Sequence, residues 1–175
     1  MQPLKAEQFY QEAYINGDKP LYDAEIELDI WGQSCHLGFD FTGELSENLP
    51  EIQRMLELLE NSRAAVEQAI LAYGMCSVAE DWVSGGEPPE DYDMESDEDP
   101  EYYYTMEDEK VYLPITEEAF LASLRLDGGT VYLDEKPEES YFDLFLYCKP
   151  DYFAGHVIEV FVEGDGNIKV NGLAG

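Results

Sequence analysis

Residues 24–41 read AEIELDIWGQSCHLGFDF and contain two runs in which apolar and polar side chains alternate. A period of two predicts β-strands with one buried and one solvated face, the arrangement typical of an antiparallel sheet. Gly32 and Gln33 lie between the runs and predict a hairpin turn. In the second run the buried side is predicted to carry Cys35, Leu37, Phe39 and Phe41. The stretch therefore predicts the first two strands of an antiparallel sheet.

From about Asn48 the hydrophobic period changes to three and four residues, which is typical of an amphipathic helix. Pro50 suits the first helical turn, and Ser46 or Asn48 can cap it. Gly74 predicts the end of this helix or a bend in it. We expect one face of the helix to pack on the sheet through Leu49, Ile52, Met55, Leu56, Leu59, Val66, Ala69, Ile70 and Tyr73.

The second half predicts a short helix and four more strands. Thr116 is a candidate helix cap, and the short helix should end before residues 127–129. The strands are predicted over residues 130–133, 141–148, 156–162 and 168–173, the last two joined by a hairpin loop. The whole chain, residues 1–175, is predicted to be one α+β domain. It should have a single antiparallel sheet of five or six strands, one long amphipathic helix packed on one face, and a second, short helix.

Residues 84–110, which we call the acidic segment, are predicted to be an insertion within this domain. Between Glu80 and Glu109 the chain has fourteen acidic residues and no Lys or Arg. Paired glycines and prolines discourage regular structure, and so long a connection is either mobile or functional. Carboxylates interleaved with tyrosine rings suit a surface rich in Lys and Arg, through ion pairs and cation–π contacts. The predicted partner contacts are Asp91, Tyr92, Asp93, Glu95, Asp97, Glu98, Asp99, Tyr102, Tyr103 and Tyr104.

The charge of the chain limits the classes of partner, and its cysteines and apolar runs indicate the compartment. The chain has 40 acidic and 9 basic side chains and a net charge of −31. This balance disfavours nucleic acid and anionic membranes and favours a basic protein, which would be steered in by the field of the protein. Three widely spaced cysteines, Cys35, Cys76 and Cys148, predict reduced, buried thiols. With no signal peptide and no apolar run long enough to span a bilayer, we expect a cytoplasmic protein.

The sequence has no pattern typical of an enzyme, a cofactor site or a structural metal site. It lacks a zinc-ligand cluster, a nucleophile elbow and a phosphate-binding loop. The acids between Asp91 and Asp99 alternate as in an EF-hand loop, but Ser96 and Tyr102 replace the required Gly and Glu, so we expect weak cation binding at most. His156 is interpreted as structural; the alternative is a catalytic or ligand-binding module centred on His156 with Asp151.

Several segments of the chain together resemble a known family. Trp31-Gly32 precedes the long helix, and four segments follow in order: residues 113–120 (LPITEEAF), 124–126 (LRL), 153–160 (FAGHVIEV) and 173–175 (LAG). The pattern resembles a group of small uncharacterised bacterial proteins, assigned to a domain of unknown function, that end in F-x-G-H-x-I-x-V, a glycine turn and A-G. The resemblance covers residues 24–175 without the acidic segment. It implies a structural role for Trp31, Gly32, Phe153, Gly155, His156 and Gly175.

The resemblance also implies a function, because look-alikes of this group often occur as immunity proteins beside bacterial toxins. Such proteins are small, cytosolic and acidic, and they cover the active site of a basic toxin domain. The leading hypothesis is therefore a non-enzymatic immunity protein that neutralises a basic toxin or nuclease by steric and electrostatic occlusion. Two alternatives stay open: the module centred on His156, and a housekeeping protein whose acidic loop keeps it in solution.

Overall fold

The computed structural model describes residues 3–11, 15–16, 19–20, 23–90, 92–93 and 99–175. Its helices are a short 3-10 turn at Ala6–Gln8, α1 (Leu45–Tyr73), α2 (Met75–Ser84) and α3 (Glu117–Ser123). Its strands are β1 (Tyr10–Gln11), β2 (Ile15–Asn16), β3 (Lys19–Pro20), β4 (Ala24–Ile30), β5 (Gln33–Asp40), β6 (Tyr102–Tyr104), β7 (Lys110–Tyr112), β8 (Leu124–Tyr132), β9 (Tyr141–Cys148), β10 (Val157–Glu163) and β11 (Ile168–Ala174).

The α+β class is confirmed, but the main sheet has more strands than predicted, and not all of its strands are antiparallel. In the described part of the chain the main sheet has seven strands in the order β1-β4-β5-β8-β9-β10-β11. β5 and β8 pair in parallel, whereas the other neighbours are antiparallel. Parallel neighbours need a long crossover, and here the chain between them includes all three α-helices. The sheet is therefore mixed.

The hairpin predicted from residues 24–41 is formed by β4 and β5. Its turn residues are Trp31 and Gly32, one position earlier than predicted, with φ values of 56° and 75°. Positive φ at both central positions is what a two-residue type I′ turn requires. The strain at Trp31 is offset by contacts with α1: its indole Nε1 donates to the carbonyl of Leu59 at 2.8 Å, and its backbone N–H donates to the carboxylate of Glu60 at 3.0 Å.

The long amphipathic helix is confirmed as α1, although it begins earlier than predicted. Glu44 is its N-cap residue, and Asn48 lies inside the helix, where its amide donates to the carbonyls of Thr42 and Glu44. Gly74, with φ 93°, ends α1 and starts α2. The predicted apolar stripe of α1 is buried or half-buried except at Tyr73, which is exposed. The buried residues of α1 are Leu45, Ile52, Met55, Leu56, Leu59, Ser62, Val66 and Ile70.

The start of the strand after α3 was predicted incorrectly, whereas the strands predicted over residues 141–148, 156–162 and 168–173 are confirmed as β9, β10 and β11, with shifts of one residue at some ends. Thr116 does cap α3, its hydroxyl accepting from the N–H of Ala119 at 3.1 Å, but the helix ends at Ser123 and β8 begins at once. The Asp127-Gly128-Gly129 sequence, which was expected between the short helix and the strand, lies within β8, where the register shifts against β9. A Cβ on Gly129 would overlap the backbone carbonyl of Asp143. The glycines allow a bulged strand to approach its neighbour closely.

The sheet has one buried and one open face. α1 contacts β4 and β11 on the buried face, which carries the core around Phe39, Phe142 and Leu144. On β9 and β10 the side chains that alternate with these core residues are half-buried or exposed, and on β8 Tyr132 is half-buried while Thr130 is buried. We call this second surface the outward face of the sheet.

Candidate functional site

The end of the acidic segment forms a hairpin, so the expectation that no regular element occurs there was wrong for Tyr102–Tyr104. β6 pairs with β7 in antiparallel register, Tyr102 opposite Tyr112 and Tyr104 opposite Lys110. Tyr103 is 8% exposed and packs inward with Val111. The alternation of a strand therefore places Tyr102, Tyr104, Lys110 and Tyr112 on the outer side of the hairpin.

The outer side of this hairpin gathers three aromatic rings, and two of them are in contact with one ammonium group. The Tyr102 ring centroid is 5.6 Å from those of Tyr104 and Tyr112. The Nζ of Lys110 is 3.3 Å from the Tyr102 centroid and 4.8 Å from that of Tyr112. A side-chain hydrogen bond with Tyr112 raises the pKa of Lys110. We call the rings of Tyr102, Tyr104 and Tyr112 the tyrosine face; its geometry is that of a cation–π site.

Backbone contacts hold the hairpin against the rest of the domain. The N–H of Tyr104 donates to the carbonyl of Glu87 at 2.8 Å, which ties β6 to the chain just after α2. The carboxylate of Glu109 accepts from the N–H of Asp151 at 3.1 Å. A Cβ on Gly86 would lie 2.8 Å from the carbonyl oxygen of Tyr104, so this approach requires glycine. Two hydrogen bonds, at Glu87 and at Asp151, therefore fix the hairpin and its tyrosine face to the rest of the domain.

A cavity of about 420 Å³ lies beside the hairpin. Trp82, Tyr104 and Met106 give it apolar walls, and Met106 is 81% exposed. The carboxylates of Glu87, Asp108 and Asp151 line it as well. Aromatic and thioether surface combined with carboxylates suits the aliphatic stem and charged end of a Lys or Arg side chain.

The predicted family-motif residues Phe153, Gly155, His156 and Gly175 come together at one corner of the domain. Both carboxylate oxygens of Asp151 accept from backbone N–H groups, from Phe153 at 3.1 Å and from Gly155 at 2.7 Å. The Nδ1 of His156 is 2.9 Å from the carbonyl of Phe153 and must carry the proton, because a carbonyl only accepts. A Cβ on Gly175 would lie 3.0 Å from the His156 ring.

This corner also bears on the alternative centred on His156. His156 and Asp151 line a cavity of about 180 Å³ together with Glu107 and Cys148. However, the Asp151 carboxylate and His156 Nδ1 are already engaged by the backbone, and the Trp82 ring centroid is 5.0 Å from that of His156. These contacts favour the structural interpretation. Across the described ranges, no group of three or more His, Cys, Asp or Glu side chains is arranged to hold a metal ion.

The structure brings together only part of the predicted contact set. Tyr92 is half-buried, and Asp93 and Asp99 are exposed. Asp91, Glu95, Asp97 and Glu98 lie outside the described residues. Sequence reasoning missed Met106, Lys110 and Tyr112, although the short run YYYTMEDEKVY carries a period-two signal for them.

Comparison with known proteins places the chain in a family without assigning an activity. A family model described as an uncharacterized protein conserved in bacteria (DUF2262) matches residues 15–173. No curated protein and no solved structure matches the chain. Among the helices that the structure describes, none is long and apolar enough to cross a membrane.

Proposed function

The chain belongs to this bacterial family, and we propose that it is a non-enzymatic cytosolic binding protein of the immunity type. It would neutralise a basic toxin domain or nuclease by covering its active surface. The observation that carries the proposal is the tyrosine face with the ammonium of Lys110 seated 3.3 Å from the Tyr102 centroid. The rings form a cation–π site at this spacing, and a Lys or Arg of a partner that displaces Lys110 would make the same contacts.

The charge of the protein supports the same kind of partner. A net charge of −31 creates a field that accelerates the encounter with a basic protein. Once the two meet, exposed carboxylates set orientation and specificity more than affinity. The buried contact would come from the exposed side chains around the cavity beside the hairpin, above all Met106 and Trp82.

The test uses the reading frame that lies next to the gene in its native genome. Expressed alone in a laboratory bacterium, a toxin should stop growth, and coexpression of this protein should restore it. A variant with Tyr102→Ala, Tyr104→Ala and Tyr112→Ala should fail to restore growth. A control with Glu117→Gln and Glu118→Gln on α3, which lies outside the β6–β7 hairpin and does not line the cavity beside it, should restore it fully.

Association kinetics with the purified partner give a second readout. Changing Asp91, Asp93, Asp97, Asp99 and Glu98 to their amides should lower the association rate and flatten its dependence on salt. Unchanged rates at low salt would remove the acidic segment from the mechanism. Rescue by the triple tyrosine variant would remove the tyrosine face.

The two alternatives make different predictions in the same experiments. A module centred on His156 should lose its cellular function in a His156→Gln variant that leaves the tyrosine face intact. A housekeeping protein with a solubilising loop should show no dependence on the adjacent reading frame and should tolerate the triple tyrosine variant.

A further inference from the structure

The outward face of the sheet carries a continuous group of aromatic rings. The Tyr132 and Tyr141 rings are stacked with centroids 4.8 Å apart, and the Phe161 centroid is 6.1 Å from that of Tyr141. These residues lie on β8, β9 and β10, three adjacent strands. All three side chains are half-buried. These rings do not belong to the hydrophobic core, and a group of aromatic rings on an open sheet face is a candidate contact surface.

One carboxylate is embedded beside these rings. Asp143 lies directly across from Thr130 on β8 and from Phe161 on β10. Its Oδ1 atom is buried and has no hydrogen-bond partner in the part of the chain that the structure describes. Burial, followed by the charge of Glu159, raises the pKa of Asp143 to about 6. A buried polar atom without a partner is rare in a native protein and calls for an explanation.

The strand register extends this position into a row across the sheet. From β4 to β11 the row reads Glu25, Gly38, Thr130, Asp143, Phe161 and Lys169, and we call it the outward row. Glu25 and Asp143 are three strands apart, which corresponds to about 14 Å. Two hollows of about 510 Å³ each lie along the row, one at Glu25 and Gly38 and the other at Phe161 and Lys169, and Asp143 stands between these two pairs without lining either hollow. Volumes of this order are typical of small-molecule sites.

Negative charge dominates both hollows. The first is lined by Glu25 and Asp127, with His36 and Phe145 beside them and Gly38, Gly128 and Gly129 as lining glycines. The second is lined by Glu138, Glu139 and Glu163, with Tyr141 and Phe161 as apolar walls and Lys169 as its basic residue. Asp40 lies near the Tyr132 ring. Burial, followed by the charge of Asp23, raises the pKa of Asp40.

We propose that the outward row binds an aliphatic polyamine, an elongated chain with two or more protonated amines. One ammonium group would pair with Asp143, the methylenes would lie on the rings of Tyr141 and Phe161, and further ammonium groups would reach the acids in the two hollows. Cation–π and carboxylate contacts recognise this chemistry together. The inference is independent of the proposed function, since the row lies on the main sheet and the tyrosine face on the separate β6–β7 hairpin.

The geometry favours this occupant over other cations. Asp143 lies across from Phe161 and two residues from Tyr141, a setting that suits a slender alkylammonium better than a flat protein surface. A hard divalent ion prefers six or more oxygen ligands, and the described residues form no such group. Acids distributed along about 14 Å of strand spacing match a linear polycation better than a compact one.

Titration calorimetry with the triamine spermidine as the probe tests the proposal at physiological salt. Saturable binding of one spermidine per chain is expected, and Asp143→Asn should weaken it about tenfold or more. Asp29→Asn serves as the control, because it removes the same charge from an exposed position that faces the same way on β4. A Tyr141→Leu variant should weaken binding as well, through loss of the aromatic wall. Equal loss in the Asp143 and Asp29 variants, or binding that never saturates, would reduce the effect to diffuse counterion attraction and overturn the proposal.

A pH series supplies a readout that a structural role for Asp143 would not produce. Polyamine amines stay protonated from pH 5 to 8, whereas Asp143 loses its proton as the pH rises through about 6. Spermidine affinity of the unmodified protein should therefore rise across this interval, and that of Asp143→Asn should rise much less. The other titratable groups that face the ligand are Tyr132, Tyr141, Asp40, Glu159 and, in the two hollows, Glu25, His36, Asp127, Glu138, Glu139, Glu163 and Lys169. Carboxyl NMR should also show the pKa of Asp143 falling when spermidine is added; an unmoved pKa would contradict the placement of the ammonium.

Discussion

Replacing Asp143 by Asn should stabilise the folded protein at neutral pH. The folded state raises the pKa of this carboxyl from 3.8 to about 6, so it disfavours the ionised form. Two pKa units correspond to about 3 kcal/mol when the group is fully ionised in both states. Because Asp143 is only partly buried, solvent screening reduces this, and we expect a gain of about 1 kcal/mol. Asn keeps the shape of the side chain and removes the charge.

The sign and the pH window follow from the raised pKa. Below pH 3.8 the carboxyl is neutral in both the folded and the unfolded chain, so its ionisation costs nothing. As the pH rises through about 6, the folded state must hold an unfavourable charge. The advantage of Asp143→Asn should therefore be small near pH 4 and reach its full size above pH 7.

Urea unfolding monitored by tryptophan fluorescence measures this difference at each pH. General repulsion among the acids also varies with pH, so the relevant quantity is the gap between each variant and the unmodified protein. Asp29→Asn on the same face should show a small gap that changes little with pH. A gap for Asp143→Asn that is equal at pH 4 and pH 7.5, or a loss of stability at pH 7.5, would refute the reasoning.

Three further predictions concern the scaffold. Burial raises the thiol pKa of Cys35 to about 11 and of Cys148 to about 12, so iodoacetamide at pH 8 should label both only after unfolding, as mass spectrometry can show. Gly86→Ala places a methyl group 2.8 Å from the carbonyl of Tyr104 and should lower the free energy of unfolding in urea by about 1–3 kcal/mol; a neutral effect would mean that the hairpin is not docked there. Trp31→Phe should cost about 1–2 kcal/mol for the lost indole hydrogen bond, and Trp31→Ala about 3–5 kcal/mol, in thermal or urea denaturation.

Local periodicity was enough to predict much of the fold. The β4–β5 hairpin and the stripe of α1 were predictable because their signals lie within one stretch of chain. The parallel pairing of β5 with β8 was not, since it joins strands separated by all three α-helices. The predicted start of β8, after the glycines at 128 and 129, was too late for a related reason. Their role depends on a neighbouring strand, whose carbonyl at Asp143 leaves no space for a Cβ.

The candidate sites were predictable to different degrees. Tyr102 and Tyr104 stand out in the sequence because they lie among acids, and the hairpin adds Lys110 and Tyr112 to them. Asp143 gave no signal, because an aspartate that alternates with core residues is ordinary on a half-solvated strand. It becomes a candidate only when the register brings rings from adjacent strands around it. Pairing across strands far apart in sequence is the information that a single sequence lacks.

The few basic residues explain why anionic surface is left for ligands. The chain has 9 Lys and Arg against 40 acids. Arg54 uses its guanidinium to bind the carbonyls of Gly164 and Pro137, which joins α1 to two loops, besides pairing with Glu51. Arg63 donates to the carbonyl of Trp31 and pairs with Glu67. Both arginines thus hold α1 to the turns around it, and the hydrogen bond with Glu51, followed by the charges of Glu51 and Glu138, raises the pKa of Arg54. Most of the 40 acids have no basic side chain to offset them, because the chain has only 9 Lys and Arg, and the resulting field attracts cations from outside the chain.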